Sequence, residues 1–424
     1  MAPPPERVAS IMLSWHTLDL VSCTTLQTLW AGYGQICAIT ARATTDAAAA
    51  HLSAVCGVES AATATATAGS TYPLILKLIS PPRHKSSSRE DEGHLRKMLS
   101  YEVEQYFYSD VVPRLGEEIA VAQCLASTRG MEGKDGEEEL RGLMATVMVD
   151  LRPRFPVAGG KRSALDRVQV CGALEWLGRF HGRSWGLLGG EGGLGGYVLP
   201  PLEEVKRRKD RTGMECGNTL WLNGGYTYLA TRRKEYASLV EDVDSEWSEA
   251  MCVVVERSGM SVAEMAALVL TPCGRPVESY IHGDVKSENL FTTEKGDEVA
   301  FFDFQYVGLG LGVCDLAKLF TCSVPIRMLV DDAHEPLPEA LAMCDGERRL
   351  LERYRQSLLL GQETDRYEWD AFKRHWETAL VDWCRFQASW GFWGNTEWLE
   401  ARVRSILSDR EWRDWLHRNV DSRK

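Results

Sequence analysis

Apolar positions along the chain fall into two regimes. From Leu26 to Ala41 the run LQTLWAGYGQICAITA is interrupted once, by Gly32-Tyr33-Gly34. This predicts a strand, a tight glycine turn and a second strand. An Ala/Thr-rich stretch over about 43–70 reads as a low-complexity insertion in a hairpin loop. Tyr72–Ile79 is a short apolar strand with one lysine, Lys77, inside it. Glu92–Leu115 has helical spacing, with Leu95, Leu99, Val103 and Phe107 at i, i+4 steps. Two more strands are expected near Glu118–Leu125 and Gly142–Leu151, joined by a charged loop.

Pro153 and Pro156 close that strand-rich part, and the remainder reads mostly helical. Helices are expected at Ala164–Trp185, Tyr226–Ser258, Ser261–Leu270, Glu339–Leu360, Arg366–Trp390 and Asn395–Ser408. The glycine-rich GLLGGEGGLGG after Trp185 lacks the Lys and Ser/Thr of a phosphate loop and reads as a linker. A strand-rich island, Val277–Phe304, interrupts the helices. The division is an N-terminal domain over 1–150 and a C-terminal domain over 151–424.

Composition narrows the function classes. Among 424 residues, 48 Lys+Arg stand against 60 Asp+Glu, for a net charge of −12. An acidic chain without a basic run is a poor partner for nucleic acid or an anionic membrane. The 12 cysteines are scattered with no C-x-x-C pair, which points to free thiols in a reducing compartment and a cytoplasmic protein. No stretch approaches the ~18 apolar residues of a membrane helix. Residues 1–14 lack a secretory apolar core, while the Ser/Thr/Ala-rich, acid-poor start is compatible with a transit peptide.

The chemistry concentrates in the island, YIHGDVKSENLFTTEKGDEVAFFDFQ. Its strands around Tyr280-Ile281 and Val299–Phe302 are expected to form a hairpin whose tips bring together Asp284, Asn289 and Asp303. Two carboxylates and a carboxamide are oxygen donors suited to a hard cation such as Mg²⁺. A separate carboxylate suits an alcohol proton acceptor.

In order along the chain, H-x-D-x₄-N followed by D-F resembles the catalytic signature of protein-kinase-like phosphotransferases. The form HGD…N…DFQ…DLA resembles the aminoglycoside phosphotransferase and choline kinase group, and within it most the ecdysteroid-kinase-like branch. Trp176–Trp185 is similar to that group's L-A-x-F-H-x-x-x-W helix motif, Met148–Leu151 to its hinge, and Cys314–Ala317 to its D-L-A. The resemblance implies an α+β, bilobal protein-kinase-like fold with a small antiparallel β-rich N-lobe and a larger, mostly helical C-lobe. It implies ATP and Mg²⁺ as cofactors and a small-molecule alcohol (amino sugar, amino alcohol or sterol-like) as phosphoryl acceptor. Asp284 would take the acceptor's proton and Lys286 touch the transferring phosphate. Asn289 and Asp303 would hold Mg²⁺. Lys77 would reach the nucleotide phosphates, paired with Glu104 or, as the rival, Glu102. Gly32 and Gly34 would let backbone N–H groups approach the phosphates, and Met148, Val149, Asp150 and Leu151 would meet the adenine.

His282, Asp315 and His181 read as structural. A protein Ser/Thr kinase is the alternative because Lys286 also fits the protein-kinase loop. Against it, Gly283 replaces the loop arginine, and Asp315 follows Asp303 too closely for an activation loop. A pseudokinase would lack the base or a metal ligand, and all are present. On the acceptor side, Trp383, Phe386, Trp390 and Trp393 are expected to share a helix face, as core or as a wall for an apolar or cationic acceptor, with Asp382 able to anchor an amine.

Overall fold

The computed structural model describes residues 3–29, 32–57, 66–81, 91–188, 193–210, 220–330 and 336–423. The chain divides into two compact units, Met1–Arg154 and Phe155–Lys424.

Unit one opens with a helix the apolar pattern did not announce, α1 (Pro5–Ser14), started by a proline in its first turn. Then follow β1 (Leu18–Thr28), β2 (Gly34–Ala43), α2 (Asp46–Val55), β3 (Thr71–Ile79), α3 (Glu92–Tyr106), α4 (Val112–Leu115), β4 (Cys124–Ser127), α5 (Glu137–Leu140) and β5 (Met144–Val149). Their five strands form one antiparallel sheet in the order β1-β2-β3-β5-β4. Val8 and Met12 of α1 share its apolar core with Ile39, Leu74, Leu76 and Val147.

The Ala/Thr-rich stretch corrects the loop expectation. Its first part is α2, where Thr45 caps the N-terminus by accepting the Ala48 N–H. Ala48, Ala49 and Leu52 are buried, and the Tyr72 hydroxyl donates to the Ala49 carbonyl at 2.8 Å. Alanine carries the highest helix propensity, so low complexity here is a helix. Residues 58–65 of the stretch lie outside the described residues. The fourth strand also moves, from the expected 118–125 to Cys124–Ser127, because its register is set by β5 and not by its own apolar run.

Unit two contains β6 (Val157–Ala158), α6 (Arg167–Ser184), α7 (Pro201–Asp210), α8 (Arg233–Glu241), α9 (Glu246–Cys252), β7 (Val254–Val255), β8 (Met260–Ser261), α10 (Val262–Leu270), β9 (Ser279–Ile281), β10 (Leu290–Thr292), β11 (Val299–Phe301), β12 (Gly308–Gly310) and α11 (Val313–Cys322). It ends in α12 (Ile326–Leu329), α13 (Asp345–Leu358), α14 (Trp369–Trp390), α15 (Thr396–Ser408) and α16 (Arg410–Asp421). Asp166 and Gln169 form a capping box that starts α6. The expected helix over 226–258 is two short ones, α8 and α9, separated at Asp242–Ser245.

The island does not form the expected hairpin. β9 pairs with β12, while β10 pairs with β11 on one edge and β6 on the other. Three-residue apolar runs contain no information about their partner; the pairing is decided by residues far along the chain. Among the described residues no helix is long and apolar enough to cross a membrane.

Candidate active site

In unit one, Lys77 sits in the middle of the sheet, opposite Ile36 on one side and Thr146 on the other. It is 8% exposed, and its Nζ lies 2.5 Å from Oε2 of Glu104, itself 4% exposed. A buried lysine needs a partner, and helical phase decides which glutamate serves. Glu104 lies on the buried face of α3 with Ser100, Tyr101 and Val103, while Glu102 is only half-buried. The glycine turn between β1 and β2 has backbone only glycine tolerates. Gly34 has φ +151°, and a Cβ there would stand 2.1 Å from the Leu78 carbonyl oxygen. Gly32 has φ +72° and open space around it. Met148 and Val149 end β5. The Val149 N–H donates to the Gln123 carbonyl at 2.9 Å, and the Leu151 carbonyl accepts from Arg154 at 3.1 Å, so these two groups are already engaged. The Asp150 carboxylate pairs with Arg152 at 2.6 Å.

In unit two the turn His282-Gly283-Asp284 follows β9 and is fastened by α11. Asp315 accepts the His282 N–H at 2.7 Å and the Gly283 N–H at 2.9 Å. Behind it, His181 of α6 meets Asp315 through Nε2 at 3.2 Å and the Tyr354 hydroxyl through Nδ1 at 2.8 Å. Burial works to raise the Asp315 carboxyl, but the His181 hydrogen bond and the nearby charges, Lys318 among them, hold it below the usual carboxylate value. Lys318, one helical turn on, donates to the Gly283 carbonyl at 2.5 Å. The Tyr226 N–H donates to the same carbonyl at 3.2 Å. Gly283 has φ +84°, and a Cβ would fall 2.3 Å from the Tyr306 carbonyl oxygen. That packing is why glycine, and no larger residue, stands before Asp284.

His282 is buried and bridges the loop. Its Nε2 donates to the Phe302 carbonyl at 2.9 Å, and its Nδ1 accepts the Asp284 N–H at 3.2 Å. One donor and one acceptor nitrogen describe a neutral ring, and burial lowers its pKa despite the surrounding carboxylates. The half-buried Asp284 carboxylate meets Lys286 Nζ at 3.1 Å and Asn289 Nδ2 at 3.1 Å. Lys286 also reaches Glu288 at 3.2 Å. Burial alone would lower its proton affinity, but Asp284 and Glu288 raise it above the ordinary lysine value, so it stays a cation. The Asn289 amide donates to the Asp284 carbonyl at 2.8 Å, which leaves Oδ1 as its acceptor atom. Asp303, two residues past β11, has φ +66°, a left-handed conformation uncommon outside glycine and a form of strain stored at functional sites. Its Oδ1 accepts from Gln305 Nε2 at 2.7 Å. The Phe302 N–H donates to the Asn289 carbonyl at 3.0 Å, which ties the Asp303 and Asn289 segments together. Among the described residues no three His, Cys, Asp or Glu side chains gather as a metal cage.

The aromatic stretch differs from expectation in two ways. Trp393 lies beyond the end of α14, and folds back to meet Trp383 and Phe386 edge-on at 5.5 and 6.0 Å. Asp382 is not an open amine anchor, because Arg385 already pairs with it at 2.8 Å. Sequence reasoning missed Lys318, Tyr226 and Arg232. Only Lys318 carried a signal, a lysine inside the otherwise apolar run of α11.

Comparison with curated protein sequences finds no match. Among solved structures, the chain is similar to a macrolide 2′-phosphotransferase from Brachybacterium faecium, at 12% identity over 98% of each chain with a TM-score of 0.40. It is similar to a choline kinase from Streptococcus pneumoniae, at 12% identity over 98% of this chain and 99% of that one, TM-score 0.39. An amicoumacin kinase is similar at 14% identity over 93% and 86%, TM-score 0.39. Similarity that low says nothing of what this chain acts on. Residues 229–355, which hold Asp284, Asn289, Asp303 and Asp315, match the family model described as APH, phosphotransferase enzyme family. That match covers 127 of the 424 residues, and over this segment the chain is similar to the phosphotransferase enzyme family.

Proposed function

We propose that the protein transfers the γ-phosphoryl group of ATP to the hydroxyl of a small molecule, with Mg²⁺ assistance. The observation that carries this reading is the loop 282–289. It holds one carboxylate, Asp284, in a backbone-fixed turn with a lysine ammonium and an asparagine within 3.1 Å. In this reading the acceptor oxygen attacks the γ-phosphorus, the bond to the ADP oxygen breaks, and Asp284 takes the hydroxyl proton. Lys286, a cation beside it, offsets charge on the moving phosphoryl group.

The donor set suits Mg²⁺. Asn289 Oδ1 accepts no hydrogen bond among the described residues, while its amide is committed to Asp284. Mg²⁺ is commonly held by one or two protein oxygens plus substrate phosphates, which is what Asn289 Oδ1 and the Asp303 carboxylate would supply. When bound, the metal would neutralise charge on the phosphates. Lys77, positioned by Glu104, and the turn at Gly32 and Gly34 would serve the nucleotide phosphates. The 148–151 segment would serve the adenine, through peptide groups other than the two already engaged. The ecdysteroid-kinase-like branch and the cytoplasmic location are part of the same reading and rest on the sequence motifs and composition.

The test is thermal unfolding with and without MgATP, joined to phosphoryl-transfer assays. At a ligand concentration a hundred times Kd, stabilisation is about 2.7 kcal/mol. Asp303→Ala is expected to abolish the Mg²⁺-dependent shift. Asp284→Ala is expected to keep the shift and lose transfer. Unchanged transfer in Asp284→Ala refutes the assignment.

A further inference from the structure

The turn between β1 and β2 carries an aromatic residue between its two glycines, and that side chain is turned inward. Tyr33 is 2% exposed and forms a small apolar cluster with Leu29, Ile79 and Tyr101, against which Met98 packs. Its hydroxyl meets Nδ1 of His94 at 2.7 Å, and the Lys97 ammonium lies 4.6 Å from its ring centre. His94, Lys97, Met98 and Tyr101 are spaced i, i+3, i+4 and i+7, so one face of α3 grips one side chain of the turn.

Three residues further along that face stands Glu104, the partner of Lys77. Tyr101 links the two ends of the row. Its ring centre is 6.3 Å from that of Tyr33 and 5.8 Å from the Lys77 ammonium. The turn and Lys77 are the two parts of unit one that the phosphotransfer reading gives to the nucleotide phosphates. A single helix face therefore holds both.

A turn with glycine on each side of one residue is costly to order, because glycine loses more backbone freedom than any other residue. Backbone bonds fix its base: the Gly34 carbonyl accepts the Leu29 N–H and the Tyr33 carbonyl accepts the Ser80 N–H, each at 2.8 Å. The side chain adds a hold on a helix residue 61 positions away. The hydroxyl is the informative atom. Phenylalanine would serve the apolar packing, whereas a hydrogen-bonded phenol also fixes where the ring, and with it the turn, can sit. A site ordered before its ligand arrives loses no affinity to ordering.

We propose that Tyr33 is a positioning residue for the nucleotide phosphates: through His94 it latches the glycine turn to α3, so that the turn and Lys77 are presented together. This deepens the phosphotransfer reading and rests on it.

The experiment measures the affinity of the full-length protein for MgATP and for adenosine, by thermal unfolding over a ligand titration. Expected in Tyr33→Phe is MgATP binding about fivefold weaker, as for one lost hydrogen bond, with adenosine binding as in the wild type. The KM for ATP should rise in step while kcat is kept. His94→Ala should show the same loss, and the double variant no more than either single one. His94→Asn, which puts an amide where Nδ1 stood, should recover wild-type affinity. MgATP affinity unchanged in Tyr33→Phe, weakening shared equally by adenosine, or losses that add in the double variant overturns the latch. A wild-type protein that gains no stability from MgATP refutes the phosphotransfer reading itself, whereas MgATP stabilisation that Tyr33→Phe retains in full refutes the latch alone.

Discussion

The two chemically loaded regions are held in opposite ways. In unit one a buried ion pair, Lys77 with Glu104, joins strand β3 to helix α3. In unit two the turn before Asp284 is gripped through its backbone. Asp315 takes two N–H groups, while Lys318 and Tyr226 share one carbonyl. A side-chain ion pair places a charge without fixing the backbone around it. A backbone grip fixes the direction in which the next side chain leaves the turn, which a proton acceptor needs more than a phosphate anchor does.

The largest break in this contrast is Asp315→Ala. It strands two buried N–H groups and His181 together, and is expected to cost about 3–5 kcal/mol, read as a lowered urea midpoint. A change below about 1 kcal/mol would show that the grip is dispensable.

Lys77→Met takes the ammonium away from the buried Glu104 carboxylate, at a cost of about 3 kcal/mol. Lys77→Met with Glu104→Leu is expected to recover most of that stability while MgATP stabilisation stays lost. If the double variant remains as unstable as the single one, the pair is not an isolated unit.

Lys318→Met sharpens the comparison from the other side. Lys318 is 4% exposed, and its ammonium donates to the Gly283 carbonyl, which keeps the Tyr226 N–H when the ammonium goes. Asp315 then loses one of the cations that hold it ionised, so Tm should fall, by less than in Asp315→Ala. ATP turnover should fall about 10²-fold, because the turn loses one of its holds. Turnover that stays at the wild-type rate would show that the turn does not need this hold.

The smallest effect is on pH. His282 is held neutral by burial, and His375 is lowered to about 3 for the same reason. Each has a folded pKa below its unfolded value of about 6.5. Between those values the unfolded chain binds more protons, so stability falls as pH drops below about 6.5. The slope approaches about 1.4 kcal/mol per pH unit for each ring. His375→Asn should flatten that slope by about one ring's share in urea titrations across acid pH; an unchanged slope would mean that His375 is charged in the folded state.

Much of this was readable along the chain. Lys77 stood out as a charge inside an apolar strand, and the helix over 92–115 was visible in its i, i+4 pattern. The spacing of His282, Asp284 and Asn289 suggested the chemistry we propose for the turn. Other features could not be read locally. Glu102 and Glu104 are both plausible in the sequence, and only the phase of α3 against the sheet separates them. The island looked like one hairpin because its strands are consecutive apolar runs, yet β9 chose β12 and β10 chose β11.

By itself, then, the sequence determined which chemical groups are present, their order, and the elements whose period or caps are local. Tertiary structure decided partnership. It placed Lys318 behind Gly283 from 35 residues away, and seated Arg232 among Tyr226, Phe386 and Trp390. The physical reason is range. Helix and strand signals arise from neighbours within a few residues, whereas desolvation, burial and hydrogen-bond satisfaction depend on groups that meet only when the chain is folded.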